Sequence, residues 1–61
     1  MKIHDFVEYY KTGIEFRRQT GMARVNWYEW QKKGYIPIES QCRLEKITNG
    51  KLKANYEHVG Q

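Results

Sequence analysis

The sequence predicts a small all-α domain of four to five short helices. Apolar residues recur at helical spacing in successive blocks of the chain. Glycines and a single proline separate these blocks, and residues able to cap a helix stand where blocks begin. The chain has 61 residues, which predicts one domain spanning residues 1–61.

The first predicted helix covers residues 3–11. Ile3, Phe6, Val7 and Tyr10 stand at positions i, i+3, i+4 and i+7, which places them on one face of a helix. Acidic residues lie toward its N-terminal half and a lysine at its end, in agreement with the helix dipole.

The second predicted helix starts after Thr12, a residue whose side chain can cap the first turn. Glu15 follows three positions later and completes the pattern of a capping box. Phe16 is an apolar position within the helix. Gly21 can adopt a positive φ and is expected to end it.

The third predicted helix resumes at Met22 and stops at Gly34. Trp27 and Trp30 are three positions apart and share one face, which we assign to the core; the alternative is a platform on which single-stranded bases stack. The second and third helices are expected to be about eight residues each, with a turn of about three residues between them. This spacing predicts a helix-turn-helix unit made of the second and third predicted helices. In such a unit, one face of the later helix packs against the core and the opposite face enters the major groove of DNA.

The fourth predicted helix covers residues 37–48. Pro37 stands in the first turn, where its missing N–H is not needed, and Asn49-Gly50 ends the helix. The residues assigned to its inward face are Leu44, Ile47 and either Gln41 or Cys42.

Two features of the C-terminal part allow different interpretations. Asn-Gly is also a hairpin turn signal, but the preceding run ESQCRLEK does not alternate, so we favour a helix there. In the tail, Leu52 and Tyr56 are four positions apart, which is enough for a short turn of helix.

The charge pattern indicates a polyanionic partner. The chain carries 11 basic and 7 acidic residues, a net charge of +4. Between positions 13 and 33 the balance is five basic against two acidic residues, or +3. Such an excess favours nucleic acid first and an anionic membrane surface second. The basic residues of this segment are Arg17, Arg18, Arg24, Lys32 and Lys33.

Several classes of function are not expected. Cys42 is the single cysteine, has no catalytic or zinc-binding context, and is assigned to the core or an interface. No nucleophile–base pair, carboxylate pair or phosphate loop is recognisable, so we expect neither an enzyme nor a metal, a cofactor or a small-molecule substrate. No apolar run approaches the roughly 20 residues of a membrane span. We therefore expect a cytoplasmic protein that is not in the membrane.

A series of residues with a recognisable order lies along positions 3–53. Its members are Thr12, Gly21, Met22, Trp27, Trp30, Ile36-Pro37, Glu39, Arg43-Leu44-Glu45, Thr48 and Gly50. This series resembles the phage Cro repressor family and its Cro-like antitoxin relatives, in particular the all-α branch. The resemblance implies a lambda-repressor-like, Cro-like DNA-binding domain. It further implies a transcriptional repressor in a bacterial host cell that binds a pseudo-palindromic double-stranded DNA operator as a dimer.

Two positions differ from the family pattern. Arg17 stands where alanine is usual, because the two helices of the unit cross closely there. Its aliphatic stem could lie along Trp30 with the guanidinium in solvent, or the crossing could be wider. Ala23 stands where a capping serine or threonine is usual, and alanine cannot cap a helix.

The resemblance also implies roles for single residues in a recognition helix at about positions 24–32. Arg24 and Tyr28, one turn apart, match base-contacting positions; their alternative is a solvated arginine and a half-buried tyrosine. Val25 could touch a thymine methyl group, and Glu29 could accept from a cytosine amine or pair with a nearby lysine. The residues expected at phosphates, or alternatively as solvated charges, are Thr12, Gly13, Arg18, Lys32 and Lys33.

The resemblance suggests that two chains form a weak homodimer on DNA, through the C-terminal half around Leu52 and Tyr56. Two other functions stay open. The first is an excisionase or MerR-like DNA-binding module, which would add a β-wing after the recognition helix. The second is a small protein-interaction domain that docks a partner through its tyrosines, namely Tyr9, Tyr10, Tyr28 and Tyr35.

Overall fold

Four α-helices and one short 3-10 helix make up the regular structure of residues 1–58. The computed structural model describes residues 1–58, without the side chain of the last of these. No strand occurs among these residues, which confirms the all-α prediction. In chain order the helices are α1 (Ile3–Tyr9), α2 (Gly13–Thr20), α3 (Val25–Lys33), α4 (Ile38–Ile47) and the 3-10 helix (Tyr56–His58).

Local capping interactions set the ends of α2 as predicted. The Thr12 hydroxyl accepts a hydrogen bond of 3.1 Å from the backbone N–H of Glu15. The Glu15 carboxylate does not return to Thr12, as a full capping box requires, but accepts from Arg18 and Gln19 one turn further along. At the other end Gly21 has a φ of 76°, a conformation that a residue with a β-carbon rarely adopts.

The predicted bounds of α3 and α4 are confirmed to within a few residues. α3 begins without a side-chain cap, as expected with alanine at position 23, and Gly34 ends it. α4 begins after Pro37, whose ψ of 143° is still extended, so the proline is the N-cap rather than part of the first turn. Because residues 38–47 are helical, the hairpin interpretation of Asn49-Gly50 is wrong.

The predicted end of α1 is wrong by two residues. The helix stops at Tyr9, and Tyr10 takes an extended backbone conformation with φ −107° and ψ 96°. The Tyr10 ring packs into the core, where it meets Phe6 and Phe16 edge to face. The tail differs as well, because Tyr56 begins the 3-10 helix whereas Leu52 lies outside any helix.

Aromatic rings form the centre of the core. The ring centroids of Phe6, Phe16 and Trp30 lie 5.3–5.7 Å from one another, each pair edge to face. Such pairs contribute about 0.5–1.5 kcal/mol beyond the burial of their area. Trp30 is buried, and Trp27 is half-buried with its indole N–H donating to the Tyr10 carbonyl at 2.9 Å. Both tryptophans therefore join α3 to the core, as predicted.

The inward face of α4 differs in part from the prediction. Gln41 and Leu44 are fully buried, whereas Ile47 is 40% exposed and Cys42 is exposed. The next core-facing position after Leu44 is one full turn later, at Thr48, so Ile47 points away from the core. The exposure of Cys42 excludes its assignment to the core.

Gln41 connects three separate parts of the chain. Its side-chain N–H donates to the Ile36 carbonyl at 2.7 Å, just before α4. Its side-chain oxygen accepts from the Asn55 backbone N–H at 2.9 Å and from the Met1 amino group. Because the side chain is fully buried, these bonds are shielded from water and tie both terminal segments to α4.

Replacing Tyr10 with phenylalanine is expected to stabilise the fold slightly. The Tyr10 hydroxyl is buried and has no hydrogen-bond partner among residues 1–58. Burial also raises the pKa of this phenol. An unsatisfied buried hydroxyl costs about 1–3 kcal/mol, so Tyr10→Phe should raise the free energy of unfolding by about 1 kcal/mol. Urea unfolding followed by circular dichroism measures this change, and a clear loss of stability in the variant would show that the hydroxyl has a partner in solution.

Candidate nucleic-acid interface

Gly13, the first residue of α2, packs closely against the side chains of Arg24 and Tyr28. A β-carbon placed on Gly13 would lie 2.9 Å from Cγ of Arg24 and 3.2 Å from Cε2 of Tyr28. Only glycine leaves room for both side chains at this point. The side chains of Arg24 and Tyr28 therefore pack on Gly13. These two residues are one turn apart, at the N-terminal end of α3.

The residues predicted to contact bases lie on one exposed side of α3. Val25 and Tyr28 are 56% and 55% exposed, and Arg24 and Glu29 are exposed as well. Arg24, Val25 and Tyr28 line one open hollow of about 530 Å³. Glu29 does not line the hollow. The structure thus brings three of the four predicted residues together.

Arg17 joins this group, although the sequence analysis did not include it in the site. Its side chain is exposed and lines the same hollow, together with Ala23. The contact that requires a small residue on α2 is at Gly13, one turn before Arg17, and the Arg17 side chain is exposed. The spacing of four between Gly13 and Arg17, which puts both on one face of α2, is the signal that could have identified it.

The hollow has an unbalanced positive charge. Two of its five lining residues are arginines and none is acidic. Across residues 1–58 the only ion pair is the one between Arg18 and Glu15, so neither arginine of the hollow is neutralised by a carboxylate. An anion would find two uncompensated guanidinium groups there.

A second groove, between α1 and the tail, has mixed charge. It has a volume of about 710 Å³ and is lined by two carboxylates of α1, Asp5 and Glu8, and by Lys51 and Lys53. The carboxylates repel a polyanion, so the hollow between α2 and α3 is the more suitable surface for nucleic acid.

The residues of α2 predicted at phosphates are only partly available. The Thr12 hydroxyl already accepts from a backbone N–H, and Gly13 is buried under the side chains of α3. Arg18 donates to Glu15 at 2.8 Å, so its charge is partly offset, although its side chain is 69% exposed. The other two predicted residues, Lys32 and Lys33, are exposed in the last turn of α3.

The predicted dimer residues differ in their availability. Leu52 is only 4% exposed and belongs to the core, so its assignment to a dimer surface is corrected: a buried side chain offers no area to a second chain. Tyr56 is 77% exposed and remains available for contact.

Within residues 1–58, no group of three histidine, cysteine or acidic side chains is placed to hold a metal ion. None of the helices described above has the length and apolar character required to cross a bilayer.

Comparison with known proteins finds no match: no family model fits the chain, and no curated protein or solved structure is significantly similar to it.

Proposed function

We propose that the protein is a sequence-specific double-stranded DNA-binding repressor of the phage Cro type, with α2 and α3 as its helix-turn-helix unit. The observation that carries this proposal is the packing of Arg24 and Tyr28 on Gly13. It fixes two exposed side chains with hydrogen-bonding groups at the start of α3, where side chains of a recognition helix reach base edges. The sequence resemblance to the Cro family supports the same function.

The dimensions of α3 suit a major groove. A helix with its side chains is about 10–12 Å across, which fits a major groove about 12 Å wide. Arg24 would donate to O6 and N7 of a guanine, and Tyr28 would contact a thymine methyl group or a phosphate. Val25 would lie against a thymine methyl group, and Glu29 would accept from a cytosine amine.

The lysines at the far end of α3 have a different role. Lys32 and Lys33 lie about two turns from Arg24, where the helix rises toward the DNA backbone. They would bind phosphates and position the helix without selecting a sequence. Thr12 would contribute its backbone N–H group to a phosphate, whereas Gly13 is buried under Arg24 and Tyr28. The exposed tail residue Tyr56 would contact the second chain of a weak dimer that forms on a two-fold operator.

Two alternative functions have less support. A MerR-like or excisionase-like module needs a β-wing after the recognition helix, but residues 38–47 form α4. A protein-interaction surface built from tyrosines loses Tyr10, which is buried, and part of Tyr35, which is half-buried. Only Tyr9 and Tyr28 of the four remain exposed.

Two substitutions distinguish contacts with base edges from contacts with the DNA backbone. Arg24→Ala should cost about 1–3 kcal/mol on the preferred duplex and little on random duplex, because it removes a base contact. Lys33→Ala should weaken binding to both duplexes alike and reduce the salt dependence by about one unit per chain, because it removes a phosphate contact. Fluorescence anisotropy titrations at two salt concentrations measure both effects.

The two variants control for each other, since each removes one exposed positive charge from α3. Equal losses on preferred and random duplex for Arg24→Ala would mean that Arg24 contacts phosphate. The pose of α3 would then differ from the proposed one.

A further inference from the structure

We infer that the hollow between Arg17 of α2 and Arg24, the N-cap of α3, binds one phosphate group of the DNA backbone, with Arg17 as its anchoring residue. The inference rests on the proposed function and deepens it, because it adds a contact that neither the sequence pattern nor the family resemblance assigns. Position 17 is a packing position in that pattern, whereas here it is an exposed arginine at the rim of the site.

The charge of the hollow determines the class of ligand. Arg17 and Arg24 both line it, and no carboxylate does. The proposed function assigns the Arg24 guanidinium to a guanine, so Arg17 is the residue of the hollow that remains to bind an anion. Because a guanidinium presents a fork of N–H donors, it binds the oxygens of a phosphate bidentately.

The remaining lining fits the sugar that accompanies a backbone phosphate. Ala23, Val25 and the ring of Tyr28 give the hollow an apolar wall beside the two arginines. Val25 and Tyr28 are each more than half exposed, so they can be covered by a ligand without disturbing the core. A deoxyribose would lie against this wall while Arg17 binds its phosphate.

The neighbouring arginine is less suited to the same role. Arg18 is held by Glu15 at 2.8 Å and does not line the hollow. Arg17 has no such carboxylate partner in the described part of the chain. The structure therefore favours Arg17 as the phosphate contact of α2 over Arg18, which the sequence predicts at a phosphate.

Adjacent arginines provide a matched pair of variants, Arg17→Gln and Arg18→Gln. Binding to a short duplex of random sequence is measured by anisotropy at about 50 and 200 mM salt, because a backbone contact does not depend on sequence. Arg17→Gln should weaken binding about tenfold at the lower salt concentration. It should also reduce the slope of log K against log salt by about 0.9 per chain, whereas Arg18→Gln should change the slope by much less.

Two further variants and measurements separate anchoring from a structural role. Arg17→Lys should keep most of the salt slope and bind more weakly than the wild type, because it keeps the charge and loses the planar fork. Thermal unfolding of Arg17→Gln should match the wild type, since the side chain is exposed. A large loss of thermal stability together with an unchanged salt slope would overturn the inference and make Arg17 a structural residue.

The outcomes also distinguish this inference from the proposed function. If the wild type binds duplex with a steep salt dependence and Arg17→Gln behaves like Arg18→Gln, the anchoring role fails while DNA binding stands. If the wild type binds no duplex, both fail. Titration of inorganic phosphate, followed by the backbone amide signals of the hollow, tests the other source of the same chemistry. Saturation by phosphate alone, with unchanged duplex affinity in Arg17→Gln, would assign the hollow to a free phosphate and overturn the backbone contact.

Discussion

Replacing Phe16 with alanine is expected to destabilise the domain by about 3–5 kcal/mol, the cost of removing a buried aromatic ring. Phe16 is fully buried, and its ring meets those of Phe6, Tyr10 and Trp30 at centroid distances of 5.3–5.7 Å. A domain of this length has a total stability of about 3–9 kcal/mol. The loss is therefore at least about a third of the total stability, and circular dichroism with urea titration should show a midpoint shifted to much lower urea concentration.

Two controls make the result specific to this site. Phe16→Leu keeps an apolar side chain in the cavity and should lose less than half as much stability. Tyr56→Ala removes an aromatic ring that is 77% exposed and should change stability by less than about 0.5 kcal/mol. A loss below about 1 kcal/mol for Phe16→Ala would contradict the aromatic core described above.

Replacing Gln41 with leucine is expected to cost about 3 kcal/mol or more, although leucine is similar in size and apolar. The substitution leaves three groups without their bond to this side chain, namely the Ile36 carbonyl, the Asn55 backbone N–H and the Met1 amino group. Each buried polar group left unsatisfied costs about 1–3 kcal/mol. Urea unfolding gives the change in free energy, and amide hydrogen exchange should show increased opening at Asn55.

The same substitution at an exposed glutamine provides the control. Gln19 lies on the surface of α2 and donates only to the Glu15 side chain. Gln19→Leu should change stability by less than about 0.5 kcal/mol. If Gln41→Leu and Gln19→Leu changed the free energy of unfolding equally, the hydrogen bonds of Gln41 would be no more stabilising than hydrogen bonds to water.

The parts of the fold that depend on neighbouring residues were predictable from the sequence. The threonine cap and the terminal glycine of α2 act within one turn, so their effect is visible in the local pattern. The end of α1 was not predictable in this way. Tyr10 leaves the helix because its ring packs against Phe6 and Phe16, and that contact depends on how α1 and α2 meet.

The same distinction applies to the site. The exposed face of α3 follows from helical spacing, and Arg24, Val25 and Tyr28 were found from it. The hollow with Arg17 depends on the packing of Arg24 and Tyr28 on Gly13, a tertiary contact that the spacing of Gly13 and Arg17 alone does not reveal. The burial of Leu52 is likewise set by the packing of the tail against the core.

The fold also explains why the largest apolar side chains and the basic residues are neighbours in sequence. α3 turns Trp27 and Trp30 inward and leaves Arg24, Tyr28 and the lysines outward. Opposite faces of one short helix thus serve the core and the proposed DNA surface.

Selection of bound duplexes from a random-sequence pool tests the central claim most directly. The account predicts a pseudo-palindromic consensus whose half-sites are about one helical turn apart, with a guanine that is no longer selected by Arg24→Ala. Retention of the pool without enrichment, together with binding that does not weaken as salt increases, would contradict the proposal that this chain is a sequence-specific DNA-binding protein.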